Sequence, residues 1–200
     1  MSKCPRAGET VKTKDKQPID CRGGLLAPDD CVLLVVDVQE RLLPAMSNRE
    51  ETLDNIVKLV RFAKIIRMPV LVTEQEKLGP TVGEVGDEIE DLAPVSKIEF
   101  DACMRGEFAE RLRELGRGTV IIAGIESHIC ITQTVLSLLP DFTVHVVSDA
   151  VSSRTRKNVE VALERMRQSG AVISSTEMVI YELLEKAGTP EFKEALKLVK

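Results

Sequence analysis

Three polar side chains stand at or near the ends of apolar runs: Asp37 after VLLVV, Lys97 inside PVSKIEF, and Cys130 in AGIESHIC, a few residues past the run TVIIAGI. A thiol, a carboxylate and an ammonium are the parts of nucleophilic catalysis. The thiolate attacks an electrophilic carbon, the carboxylate takes and returns a proton, and the cation steadies negative charge. Cys130 falls within the first turn or so of an expected helix, where backbone N–H groups and the helix dipole favour thiolate over thiol. Each residue also has a plain structural reading. A free cysteine is usually a small buried hydrophobe, an aspartate at a strand end caps the next turn, and a lysine stem covers apolar neighbours.

The chain has two histidines, and neither is well placed to serve Cys130. His128 lies two positions away, and residues i and i+2 of a helix point to different sides. His145, inside TVHVVSDA, reads as a core or sheet-face residue. The base must come from elsewhere, and Asp37 with Lys97 are the ionisable strand-end candidates. Cys31 precedes a strand, Cys103 lies in a loop or helix start, and Cys4 and Cys21 are near the N-terminus, so none of them shares the address of Cys130. The five cysteines show no CxxC pair and no Cys/His spacing of a zinc site. Their odd number and the lack of a secretory pattern at the N-terminus lead to an expectation of reduced thiols in the cytoplasm.

The elements that must position these residues alternate in type. Val32–Asp37, VLVTE after Pro69, PVSKIEF, TVIIAGI, TVHVVSDA and AVISS are short apolar runs that read as strands. Between them Leu53, Ile56, Val57 and Val60 follow helical spacing up to Met68. Phe108, Leu112 and Leu115 make a stripe stopped by Gly116, and a helix is expected from about Ser127 to Leu139. Val159, Ala162, Leu163 and Met166 give another helix, ended by Gly170. Ser174 with Glu177 predicts a capping box for Met178–Lys186, and a last helix begins at Pro190. Apolar strands joined through helices predict an α/β three-layer sandwich, its parallel sheet covered by helices on both faces. In such sheets ligands bind beyond the carboxyl ends of the strands, near a switch in strand order.

Two hundred residues with 44% hydrophobic and 30% charged content predict one soluble domain. Its extent is read as 25–200, after a polar arm over 1–24 that is flexible or docked on a partner subunit. No apolar run approaches the roughly 20 residues of a membrane helix, so no membrane partner is expected. A net charge of −5 and 3% aromatics argue against a nucleic-acid partner.

The stretches LLVVDVQERLLPAM, VLVTEQ with LGPTV, KIEFDAC, VIIAGIESHICITQTVLSLL and VHVVSDAVSSR together resemble the isochorismatase-like cysteine hydrolases, from about residue 30 to the C-terminus. The resemblance implies six parallel strands and an Asp-Lys-Cys triad on Asp37, Lys97 and Cys130. It also implies a cis peptide at Ile125–Glu126 that turns the Glu126 and Cys130 backbone N–H groups toward a reacting oxygen. Glu74, Gln75 and Phe100 are candidates for the pocket wall, with a turn role for Glu74 and Gln75 and a core role for Phe100 as alternatives. Nicotinamidases of this superfamily carry an Asp/His metal cluster. TEQEKLGPTVGEV has no histidine, so no metal and no cofactor are expected. The implied activity is hydrolysis of an amide or other C–N bond of a small-molecule substrate, by a homo-oligomer. The alternatives are a vinyl ether hydrolase, which would not need the thiol, and a non-enzymatic oligomeric protein with a reactive cysteine.

Overall fold

Valine- and isoleucine-rich runs pair as parallel strands in the computed structural model, which describes residues 24–89 and 91–200. The N-terminal arm, Gly24 apart, lies outside the described residues. In chain order the elements are β1 (Cys31–Val36), α1 (Arg49–Ile66), β2 (Val70–Gln75), the single turn α2 (Gly83–Gly86), β3 (Val95–Lys97), α3 (Gly106–Glu114) and β4 (Thr119–Ile125). They continue with α4 (Thr132–Leu138), β5 (Thr143–Ser152), α5 (Arg156–Gln168), β6 (Val172–Ser174), α6 (Thr176–Leu184) and α7 (Pro190–Val199). The strands form one six-stranded parallel sheet in the order β3-β2-β1-β4-β5-β6.

Alternation along the central strands divides the interior into two cores. Leu33 and Val35 of β1, with Ile121, Ala123 and Ile125 of β4, face α1, α6 and α7. Val32, Leu34 and Val36, with Val120 and Ile122, face α3, α4 and α5. Both faces are therefore covered, which is why β1 and β4 are buried along their whole lengths. The chain runs outward from β1 through β2 to β3, then returns to lay β4 on the other side of β1. The strand order switches between β1 and β4, and the carboxyl ends of these two strands flank the crevice.

β4 approaches β1 so closely that one position admits only glycine. Gly124 pairs with Val36 at φ +126°, and a Cβ there would run into the Val36 carbonyl oxygen and lie 2.6 Å from its nitrogen. The chain can thus pack flush against β1 just before it turns into the segment that holds Cys130.

Four readings of the sequence need correction. The α6 cap is Ser175, whose side chain accepts from Met178 N–H, whereas Ser174 ends β6 and contacts His145 instead. The third strand stops at Lys97, leaving Ile98 64% and Phe100 53% exposed, so Phe100 is not a core residue. β3 lies at the sheet edge, where only a short strand is covered. Cys31 begins β1 within the core rather than preceding the strand. The segment from Ser127 does not start as an α-helix: a π-helical turn over Ser127–Ile131 comes first.

Candidate active site

Asp37 is the first residue past β1 and adopts φ +52°, which turns its side chain out of the strand's alternation. Its backbone N–H is held by the Thr73 carbonyl at 3.1 Å. Thr73 Oγ1 donates to Asp37 Oδ1 at 2.7 Å, and Lys97 Nζ donates to Oδ2 at 2.7 Å. Both members of this ion pair have no side-chain exposure. Lys97 closes β3, and its ammonium also donates to Gln75 Oε1 at 2.9 Å. The carboxylate and the ammonium each keep a neutral partner beside the ionic one, as buried charges require.

The third group reaches them from β4. The Ile125–Glu126 peptide is cis, and the π-helical turn that follows carries the buried Cys130 side chain to where the charges of Asp37 and Lys97 both act on it. Burial, then the Asp37 charge, push the thiol up from 9.0 to about 12; the Lys97 cation opposes them. The expectation that a helix start would favour thiolate is therefore overturned: desolvation and a neighbouring carboxylate outweigh the dipole. At rest Cys130 is a thiol beside the Asp37 carboxylate. The three side chains named from the sequence converge from the ends of β1, β3 and β4, beside the switch point.

The other candidates take different places. Glu74 Oε1 accepts from Thr81 N–H and Thr81 Oγ1, both at 2.7 Å, which is the turn-holding role. Gln75 links Lys97 to the Ile98 carbonyl, to which its amide donates at 2.8 Å. His128 contacts Ser153 and Asn158. The sequence reading missed Thr73 and Gln39. Buried Gln39 donates to the carbonyls of Gln75 and Gly79 and accepts from Gln75 N–H at 2.8 Å, tying the segment after β1 to the loop after β2. Gln39 offered no usable signal, because the left-handed turn at Asp37 breaks the alternation that would relate i to i+2. Thr73 had none, because a threonine inside an apolar run reads as ordinary strand. Among the described residues no three His, Cys, Asp or Glu side chains are gathered as a metal ion would need, and no helix is long and apolar enough to cross a membrane.

A three-layer α/β fold with polar groups gathered at the switch point defines a class of α/β domains that carry their site beyond the strand ends, and comparison with known proteins gives the family. The Isochorismatase domain profile matches residues 31–178, and the chain belongs to this family. The secreted isochorismatase effector Isc1 of Phytophthora sojae is 42% identical over 191 residues, spanning 90% of this chain and 89% of the relative. A solved structure described as MAR1 ribonuclease from Caenorhabditis elegans superposes with TM-score 0.82 at 33% identity, covering 88% of this chain and 92% of that one. The Escherichia coli YcaC gene product, described as an octameric hydrolase of unknown specificity, shares the fold. Its TM-score is 0.80 at 24% identity, covering 92% of this chain and 89% of that one.

Proposed function

We propose that the chain hydrolyses an amide or other C–N bond of a small molecule through a thioester on Cys130. The buried convergence of Cys130, Asp37 and Lys97 carries this reading. The Cys130 proton passes to Asp37 as the sulfur bonds to the substrate carbon, while Lys97 offsets the carboxylate charge. The electron pair displaced onto the substrate oxygen is met by the Glu126 and Cys130 N–H groups, each such donor contributing about 3 kcal/mol in comparable sites. Collapse breaks the C–N bond, Asp37 returns its proton to the leaving amine, and the acyl group stays on sulfur. Water then adds to the thioester with Asp37 as base, releasing the acid and restoring the thiol. Starting from a protonated thiol suits this sequence, because the proton the leaving amine needs is already in the site.

Gln75 serves the site by holding the Lys97 ammonium, with Phe100 as an outer wall and Glu74 acting through the Thr81 turn. No metal or cofactor enters the scheme. Assembly as a homo-oligomer belongs to the same reading; the octameric YcaC fold relative and the exposed Ile98, Phe100 and Met104 beside the edge strand support it. Cytoplasmic residence is supported by the free thiols of Cys31, Cys103 and Cys130. The Phytophthora relative is named as secreted, so localisation of the tagged full chain decides the compartment.

The test is intact-mass spectrometry and product analysis of wild type and Cys130→Ala with a panel of small amides, electrophilic amide analogues, a vinyl ether substrate and RNA. An acyl adduct on wild type alone, with turnover falling roughly 10³-fold or more in the variant, is the expected result. RNA is included because the C. elegans neighbour is described as a ribonuclease; the net charge of −5 supports a small substrate. Amide turnover that survives Cys130→Ala undiminished would reject the thioester, and vinyl ether or RNA cleavage without amide turnover would reassign the bond.

A further inference from the structure

Three consecutive residues of the cysteine turn are tied to three consecutive residues leaving β5. Glu126 Oε2 accepts from Arg154 Nε at 2.9 Å and from the Arg154 backbone N–H at 3.4 Å. Ser127 Oγ donates to the Ser152 carbonyl at 2.9 Å. His128 Nδ1 lies 3.0 Å from Ser153 Oγ, and its Nε2 lies 3.2 Å from Asn158 Nδ2.

These contacts fall where the sheet has stopped holding the chain. Pairing to β1 fixes β4 as far as Gly124, and pairing to β5 as far as Ile125 opposite Ser152. Beyond it the turn has bonds of its own, the Glu126 carbonyl accepting from the Ile129 and Ile131 N–H groups, and these set its shape but not its position over the sheet. A thiol that must meet Asp37 from β1 and Lys97 from β3 needs that position fixed to a fraction of an ångström. The Glu126 carboxylate is 7% exposed and its Arg154 partner 57%, so the acid is the embedded end of the pair.

We infer that Ser152–Arg154 is a positioning clamp for the cysteine turn, and that Arg154 also neutralises the Glu126 carboxylate beside the thiol. The inference rests on the reading of Cys130 as nucleophile for its purpose, but its geometry can be tested apart from turnover. Burial is the main cause holding the Cys130 thiol high, and the Glu126 charge adds to it, so an unscreened Glu126 opposes the thiolate further. Because the Arg154 side chain is more than half exposed, removing it opens no cavity in the core.

Two measurements on the full chain test the clamp. Hydrogen–deuterium exchange across 126–131 rises in Arg154→Ala and stays near wild type in Arg154→Lys, with the unfolding midpoint unchanged. Labelling of Cys130 by neutral iodoacetamide and anionic iodoacetate gives a rate ratio in which thiolate fraction and access cancel. The iodoacetate preference falls roughly threefold in Arg154→Ala and rises by a similar factor in Glu126→Gln. Unchanged exchange in Arg154→Ala, or a ratio that moves the same way in both variants, overturns the clamp. If neither reagent labels Cys130 in the wild type, as a buried protonated thiol allows, the exchange result alone decides the clamp, and the nucleophile assignment rests on the Cys130→Ala turnover test.

Discussion

The buried pair of Asp37 and Lys97 sets the demands on single residues. An aspartate and a lysine with no exposed side-chain surface face a desolvation cost of several kcal/mol each, which their 2.7 Å contact offsets only while both are present. Thr73 and Gln75 occupy further hydrogen-bonding positions on the two charges. Lys97→Met fills the volume but strands a carboxylate, so it is expected to cost about 3–5 kcal/mol of folding stability. The double variant Asp37→Asn with Lys97→Met removes both charges and should recover much of that loss while remaining inactive. Urea midpoints of the two single variants and the double variant measure this, and an additive double variant would show that the two charges do not interact.

At the scale of elements, the site depends on how closely β4 approaches β1. Gly124→Ala sets a Cβ against the Val36 carbonyl and asks a substituted residue to hold φ +126°. The strands cannot separate without breaking the central pairing of the sheet, so a loss of at least about 3 kcal/mol is expected, read from the denaturant midpoint. A loss below about 1 kcal/mol, the size of an ordinary surface change, would mean that β1 and β4 yield easily. The alternation of strands and helices was legible because apolar runs and helical stripes differ in period, while Asp37, Lys97 and Cys130 stood only as candidates at or just past strand ends until the resemblance joined them as a triad. What stayed hidden depends on partners far away in the chain. β5 runs ten residues and shifts register between Ile122 and Gly124 of β4, which no run of apolar residues reports. The stop of β3 at Lys97 follows from its edge position, since Ile98 and Phe100 look like strand continuation in composition. The resting thiol was misjudged because helix position is local, whereas burial and the Asp37 charge come from packing three strands together.

For the whole molecule, these packing effects link alkalinity to stability. Burial first, aided by nearby carboxylates, pushes the thiols up from 9.0, to about 11 for Cys31 and about 12 for Cys103 and Cys130. In the unfolded chain these groups lose their protons near the ordinary thiol value, while the folded chain keeps them. The folded state therefore binds more protons above pH 9, and stability must fall as pH rises through that window. The contribution is fully present below the ordinary value and is lost by the time each folded thiol ionises. One retained proton corresponds to a slope of up to about 1.4 kcal/mol per pH unit. Cys130→Ala removes one such group, so the stability of the variant should decline less steeply than that of wild type between pH 9 and about 12. The two urea-derived stabilities should converge, or cross, as the pH climbs. Parallel curves across the window would mean that Cys130 ionises at the same pH folded and unfolded. The thiol would then be neither desolvated nor held by Asp37, and the proton supply assigned to the leaving amine would have to come from another group.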